Sequence, residues 1–318
     1  MRHPVIAVVG PTAAGKSDLA LGLARALGGE IVNADSMQLY AGMDIGTAKL
    51  TVAQRRGVPH YLLDIWDVRR TSNVADYQRL AREAIAGIQG RDQVPVLVGG
   101  SGLYIRAALD DLDFPGTDPR VRERLEADLA AGGPGPLHAR LAAADPDAAA
   151  AILPSNGRRI VRALEVIEVS GRPFTAVLPS YQSVYPAVQI GLRVPRAVLD
   201  ARIAERVSRM WQAGLVDEVA RLDQAGLREG KTASRALGYA QVLRFLAGEY
   251  SQDEARAQTV QATKRFARRQ ESWFRRDPRV IWLDTGDGPG GDADLLGRAL
   301  ATISACDSRK DTAPRTTS

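Results

Sequence analysis

Cysteine is almost absent from this 318-residue chain: the single Cys306 leaves no internal disulfide, and no CxxC or Cys/His cluster offers a zinc site. A reducing, cytoplasmic compartment is therefore expected. Long hydrophobic runs are missing too. Val5–Val9 and Val94–Val98 are far shorter than the roughly 20 apolar residues that cross a bilayer, so no membrane association is expected. The N-terminus passes directly into a strand pattern, with no signal-peptide core. Only three histidines are present; His60 heads a strand and reads as structural, while His3 and His138 have no partner in view. What remains, 45% apolar and 25% charged residues with 30 Gly and 17 Pro, excludes bulk disorder and collagen and describes a globular chain. At about 150 residues per domain, the length allows one large domain or two ordinary ones.

Net charge is +5, and its position is more informative than its size. Residues 1–115 hold 12 basic and 12 acidic residues. Residues 254–276 hold seven basic residues (Arg256, Lys264, Arg265, Arg268, Arg269, Arg275, Arg276) against Glu254 and Glu271, which equals the whole excess. A local basic face is the footprint of a polyanion partner, although a solvated helix has the same composition.

The first hundred residues alternate short β-branched runs with helical patterns, the signature of a doubly wound parallel α/β sheet. Strands are predicted at Val5–Val9, Glu30–Ala34, Tyr61–Ile65 and Val94–Val98, with helices at Lys16–Leu27 and Ala75–Gln89 between them. Later strands are predicted at Val188–Val194 and Val280–Leu283, so an insertion interrupts the sheet. Breaks at Phe114-Pro115-Gly116 and Tyr185-Pro186 bound it as residues 116–186, within a P-loop core of 1–115 and 187–285. The insertion is helical: Val121–Ala130, a linker over Gly132–Pro136, and Gly157–Ser170 with Asn156 as N-cap and Gly171 past its end. Beyond Arg196 the pattern is helix after helix, ending in a long one over Gln252–Arg276. There Thr263, Phe266, Ala267, Gln270, Trp273 and Phe274 form an inward stripe, and Trp273 and Phe274 read as core. Residues 286–318 read as a short helix at Ala293–Ala305 and a disordered tail over Asp307–Ser318.

The chemistry begins with Gly10-Pro11-Thr12-Ala13-Ala14-Gly15-Lys16-Ser17, a P-loop with a strand before it and a helix after it. Loop N–H groups and the helix N-terminus cradle a diphosphate, Lys16 neutralises its oxygens, and the Ser17 hydroxyl is placed for Mg²⁺. An ATP-using enzyme usually has an acid at the end of a second apolar strand. Val94–Val98 ends in Gly99-Gly100-Ser101 instead, leaving Asp64 as the alternative acid. Asp35 follows the strand Glu30–Ala34 at the carboxyl edge, where ligands bind in open α/β sheets, and is a candidate general base or metal partner. Ser36, Gln38 and Tyr40 follow it as polar groups over the same edge. Arg106 and Arg206 are candidates to complete the phosphate clamp, because guanidinium forks suit a diphosphate.

Together these residues resemble the tRNA dimethylallyltransferase, or tRNA isopentenyltransferase, family. The resemblance rests on GPTAAGKS at 10–17, NADSMQLYAGMDIGTAK at 33–49, HYLLDI at 60–65, PVLVGGSGLY at 95–104, NGRRIVRALEV at 156–166, RALGY at 235–239 and TKRFARRQESWFR at 263–275. Ser101 stands where the family pattern has Thr, Met37 precedes the usual Gln, and Arg106 takes a position that is Lys elsewhere. The resemblance implies transfer of a dimethylallyl group from dimethylallyl diphosphate to N6 of the adenosine 3′ to the anticodon, position 37, in tRNAs reading codons that begin with U. It implies Asp35 as general base, with the P-loop, Mg²⁺, Arg106 and Arg206 stabilising the leaving group. It also implies a channel for the anticodon loop lined by Asp35, Ser36, Met37 and Gln38, with Ser101 and Arg122 contacting RNA. Arg158, Arg159, Ile160, Val161 and Arg162, together with Lys264, Arg265, Arg268, Arg269 and Arg275, would grip the RNA backbone. A monomer is expected. The rival reading is an ATP-dependent small-molecule or nucleoside kinase using Asp64, and a third is an RNA-binding protein with a vestigial P-loop.

Overall fold

Five consecutive apolar residues fit only where both faces of a strand are covered, and in the computed structural model every residue of Val5–Val9 is fully buried. The structure describes residues 3–112, 114, 116–174, 181–286 and 294–311. They divide into two units, residues 1–110 with 183–318 and residues 111–182.

In chain order the first unit begins with β1 (Val5–Val9), α1 (Lys16–Leu27), β2 (Gly29–Asn33), β3 (His60–Tyr61), α2 (Val74–Gly90), β4 (Val94–Gly99) and α3 (Gly102–Leu109). The second unit holds α4 (Pro119–Gly132), α5 (Pro134–Ala144), α6 (Pro146–Ala151) and α7 (Gly157–Ser170). The chain then returns to the first unit as β5 (Ala187–Arg193), α8 (Arg196–Gln212), α9 (Leu215–Gln224), α10 (Tyr239–Leu246), α11 (Gln252–Phe274), β6 (Val280–Asp284) and α12 (Leu295–Asp311). The strands form one parallel sheet in the order β3-β2-β4-β1-β5-β6, which is the expected doubly wound α/β class. From β1 the chain passes to β2 on one side, while β5 pairs on the other, so the crevice of the sheet lies beyond the carboxyl end of β1.

Several elements differ from the sequence expectation. The strand expected over Tyr61–Ile65 is the two-residue β3, because Leu62 (φ 64°) and Asp64 (φ 58°) turn the chain out of the ladder. Asp64 is thereby delivered to the buried Lys49 ammonium, at 2.5 Å. The Gly132–Pro136 linker shrinks to Gly133 alone, since Pro134 opens α5 where its missing N–H costs nothing. The terminal helix runs on through Asp311, over residues expected to be tail. Ala293 and residues 312–318 lie outside the described residues. In α7 the Asn156 side chain accepts from the Arg159 amide and Gly171 ends the helix, as the sequence predicts. The second unit has its own core, built on Leu125, Leu141, Ile152, Ile160, Val161 and Leu164.

The insertion leaves the sheet unit at Asp110, bridged to Ser183, so residues 111–182 begin a few residues before the predicted limits of 116–186 and end a few residues short of them; Pro115, in the predicted break, lies outside the described residues. Asp110 is fully buried and accepts from Arg106 Nε at 2.8 Å and from Arg279 Nη1 and Nη2 at 2.6 and 3.0 Å. Arg279 also binds Asp277. Replacing Asp110 by Ala takes the carboxylate from between two guanidinium groups. We expect a loss of about 3–5 kcal/mol, read from the urea midpoint at constant slope.

Candidate active site

The turn after β1 is the P-loop. Gly10 (φ 135°) and Gly15 (φ 93°) take conformations that side chains disfavour, and a Cβ at Gly10 would lie 3.1 Å from the Leu192 carbonyl oxygen of β5. Helix α1 starts at Lys16 on Gly15, without a side-chain cap, so its first amides remain open for an anion. The Lys16 ammonium donates to the Pro11 carbonyl at 2.7 Å. Burial lowers it from the ordinary lysine value to about 8; the Arg206 guanidinium pushes the same way and Asp35 opposes. Ala13 to Ser17 line one hollow, with Lys49 and Arg206 among its other walls.

Asp35 stands two residues beyond β2, at the carboxyl edge. Asn33 shapes its turn: the Asn33 side chain accepts from the Asp35 amide at 2.9 Å and donates to the Asp35 and Leu62 carbonyls at 3.0 Å each. One Asp35 carboxylate oxygen accepts from the Met37 amide at 2.9 Å. Asp35, Ser36 and Met37 line a second hollow of about 310 Å³, at the lower end of small-molecule sites. Thr12, Ser101, Arg206, Arg269 and Gln270 also line it. Arg206 and Met210 of α8 belong to both hollows, so the hollow of Ala13 to Ser17 and that of Asp35 share a wall at Arg206. Burial lowers the Arg206 guanidinium while Asp35 supports its charge, and Nη2 donates to the Thr47 carbonyl at 3.3 Å.

Thr47 belongs to a loop over residues 43–49 that separates the two hollows. Glu218 of α9, 5% exposed, accepts from the amides of Asp44, Ile45 and Gly46 and from the Tyr239 hydroxyl. Burial, and then the Glu218 carboxylate beside it, push the Tyr239 phenol far above its usual range. A Cβ at Gly46 would lie 2.4 Å from the Tyr239 ring, so the loop lies flat on the aromatic face. Lys49 binds the Tyr40 carbonyl and Asp44 as well as Asp64. Glu218 was not among the predicted site residues. Its signal in the sequence is a charge on the apolar stripe Leu215, Val219 and Leu222 of a helix, where only a paired carboxylate is tolerated.

Other expected residues lie elsewhere. Arg106, expected in the phosphate clamp, is one turn into α3, is held by Asp110 and lines neither of these hollows. Tyr40, expected as a polar group over the edge, is fully buried and donates to the Arg70 carbonyl. Gln38 donates to the Thr47 carbonyl at 3.1 Å. In the second unit Arg122 and Arg162 are ion-paired to the buried Glu165, and Ile160 and Val161 point into that unit's core; only Arg158 and Arg159 of the predicted set are exposed there. On α11, Ala267, Gln270 and Phe274 are buried, whereas Trp273 is 40% exposed, a correction to its place in the core. Arg265, Arg268 and Arg269 are exposed with no carboxylate at ion-pair distance among the described residues, Arg275 pairs with Glu271 at 2.5 Å, and Lys264 lies 4.0 Å from Asp200.

With Lys16 at about 8, the free site binds an organic diphosphate in its protonated form below that pH and must take up a proton to do so above it. The affinity for a non-reactive organic diphosphate is therefore expected to be flat below pH 8 and to fall by up to about tenfold per pH unit above it. Titration calorimetry across pH 6.5–9.5 checks this, with Lys16→Met giving weak, flat binding.

Among known proteins, a family model described as IPP transferase matches residues 38–277. The chain is 68% identical over 304 residues to the tRNA dimethylallyltransferase of Thermobifida fusca, covering 94% of each. It is 71% identical over 282 residues to that of Streptomyces coelicolor, covering 89% of this chain and 90% of the relative. The crystal structure of the tRNA isopentenylpyrophosphate transferase of Bacillus halodurans is 38% identical, with a TM-score of 0.71, and the match covers 98% of this chain and 100% of that one.

Proposed function

The chain belongs to the IPP transferase family of tRNA dimethylallyltransferases, and from that membership we propose that it prenylates N6 of the adenosine 3′ to the anticodon, position 37, in tRNAs reading codons that begin with U. The donor is dimethylallyl diphosphate. The observation that carries the reading is the pair of hollows meeting at Arg206, one lined by the P-loop and the other by Asp35. In the transfer the allylic C–O bond breaks, its electron pair leaves with the diphosphate, and the adenine amine forms the new C–N bond. Asp35 takes the displaced amine proton. P-loop amides, Lys16 and Arg206 meet the charge that grows on the leaving oxygen. Adenine's amine is a weak nucleophile, so alignment against the allylic carbon supplies much of the acceleration.

The residues fit Mg²⁺ carried by the diphosphate rather than by a protein cage. Ser17 is exposed at the P-loop, and no group of three or more His, Cys, Asp or Glu among the described residues is arranged around a metal. Ser17 would hold the ion, which when bound neutralises part of the diphosphate charge. Asp64, the acid a kinase would need, is tied to Lys49.

The target base lies in a folded anticodon loop and is flipped outward to reach Asp35. Arg265, Arg268 and Arg269 of α11 supply phosphate contacts, as do Arg158 and Arg159 of the helical unit. The protein acts as a monomer in this proposal.

Asp35→Ala is expected to slow incorporation of labelled donor into unmodified tRNA by about 10²-fold or more, the scale of a lost general base, with little change in tRNA affinity. Unchanged turnover removes Asp35 from this role. Arg268→Ala is expected to lower the salt dependence of tRNA binding by about one unit of log–log slope. An unaltered slope returns that residue to the solvated surface.

A further inference from the structure

Gln270 is a buried amide on the helix that carries the basic surface, and both ends of its side chain are used. Its Oε1 accepts from the Thr12 amide at 2.9 Å, and its Nε2 donates to the Gly100 carbonyl at 2.9 Å. Thr12 is the P-loop residue that lines the Asp35 hollow, whereas its neighbours Ala13 to Ser17 line the other. Gly100 follows β4, whose partner β2 leads to Asp35. One side chain from α11 thus bridges the turn after β1 and the turn after β4, at the point where the diphosphate loop passes from one hollow to the other. The space is cut to fit: a Cβ on Gly100 would lie 2.1 Å from Gln270 Nε2.

We infer that Gln270 is a positioning residue, which sets the spacing between the diphosphate loop and Asp35 by holding Thr12 against the Gly100 turn. It lines the Asp35 hollow, but the role assigned here is carried by its two bonds to these backbone groups. The role explains why a polar residue occupies the inward stripe of α11 beside Ala267 and Phe274, at the cost of burying an amide that must find two partners. It also explains the glycine in the Gly99-Gly100-Ser101 turn, which leaves room for that amide. The inference rests on the reading of the two hollows as donor and acceptor sites.

Two variants test it by different routes. Gln270→Leu removes both hydrogen bonds. Gly100→Ala keeps Gln270 but occupies the seat of its amide, the far end of a flexible side chain, and the new Cβ would also lie 3.3 Å from the Gly10 carbonyl, a few tenths of an ångström that the P-loop turn must take up. Each is measured below its thermal midpoint for prenyl transfer into tRNA, for binding of inorganic diphosphate, and for tRNA affinity. Misplacement on the ångström scale is expected to lower kcat by about 10²-fold. Diphosphate affinity should fall by about tenfold, tRNA affinity should change by less than about twofold, and losses in the double variant should be clearly less than additive, because both substitutions act on the same junction of two turns. Wild-type kcat and diphosphate affinity in folded Gln270→Leu, or fully additive losses in the double variant, would overturn the inference. A wild-type protein that transfers no prenyl group instead overturns the functional reading itself.

Discussion

Asp35 carries a negative charge beside a P-loop whose open amides suit an anion, and the Arg206 guanidinium lines the hollows of both. Two unit charges 4 Å apart interact by about 4 kcal/mol at an effective dielectric of 20, enough to separate a carboxylate from a diphosphate unless a cation lies with them. Arg206 lines both hollows and is supported by Asp35. Burial lowers Lys16, and the same guanidinium adds to that shift. Lys16 and Arg206 are therefore kept charged close together at a cost that a bound anion would offset.

Holding this arrangement falls to buried polar groups rather than to the apolar sheet. Glu218 gathers three successive amides of the loop between the hollows, Asn33 shapes the Asp35 turn, and Gln270 joins two strand ends. Each is a polar atom removed from water and fully engaged, so each is expensive to lose and specific in geometry. The sheet supplies the platform: β1 is its dry centre, and the crevice at its carboxyl end is where the chain reverses its direction of winding.

The sheet class, the P-loop and helix α1 were legible because their signals are local: an apolar run, glycines at fixed offsets, and apolar spacing of three to four. The long third strand was misread because Tyr61-Leu62-Leu63 has the composition of a strand while Asp64 answers to Lys49, a partner distant along the chain. Arg106 and Arg206 looked alike in sequence. What separates them is Asp110, four residues after Arg106 and on the same helix face, which captures one guanidinium and leaves the other to the crevice. Gln270 was legible as part of a stripe, but its bonds to Thr12 and Gly100 join residues 258 and 170 positions apart. Trp273 belongs to the same periodic pattern, and only the packing shows that it is partly exposed at the helix edge, over Gly102.

The most direct measurement of the central claim is mass spectrometry of the nucleosides and nuclease fragments of unmodified tRNA after incubation with the protein, dimethylallyl diphosphate and Mg²⁺, without ATP. The account predicts one added dimethylallyl group, on the adenosine 3′ to the anticodon, with inorganic diphosphate released in equal amount. RNA of unchanged mass, in a preparation that consumes ATP on a hydroxyl substrate, would contradict it.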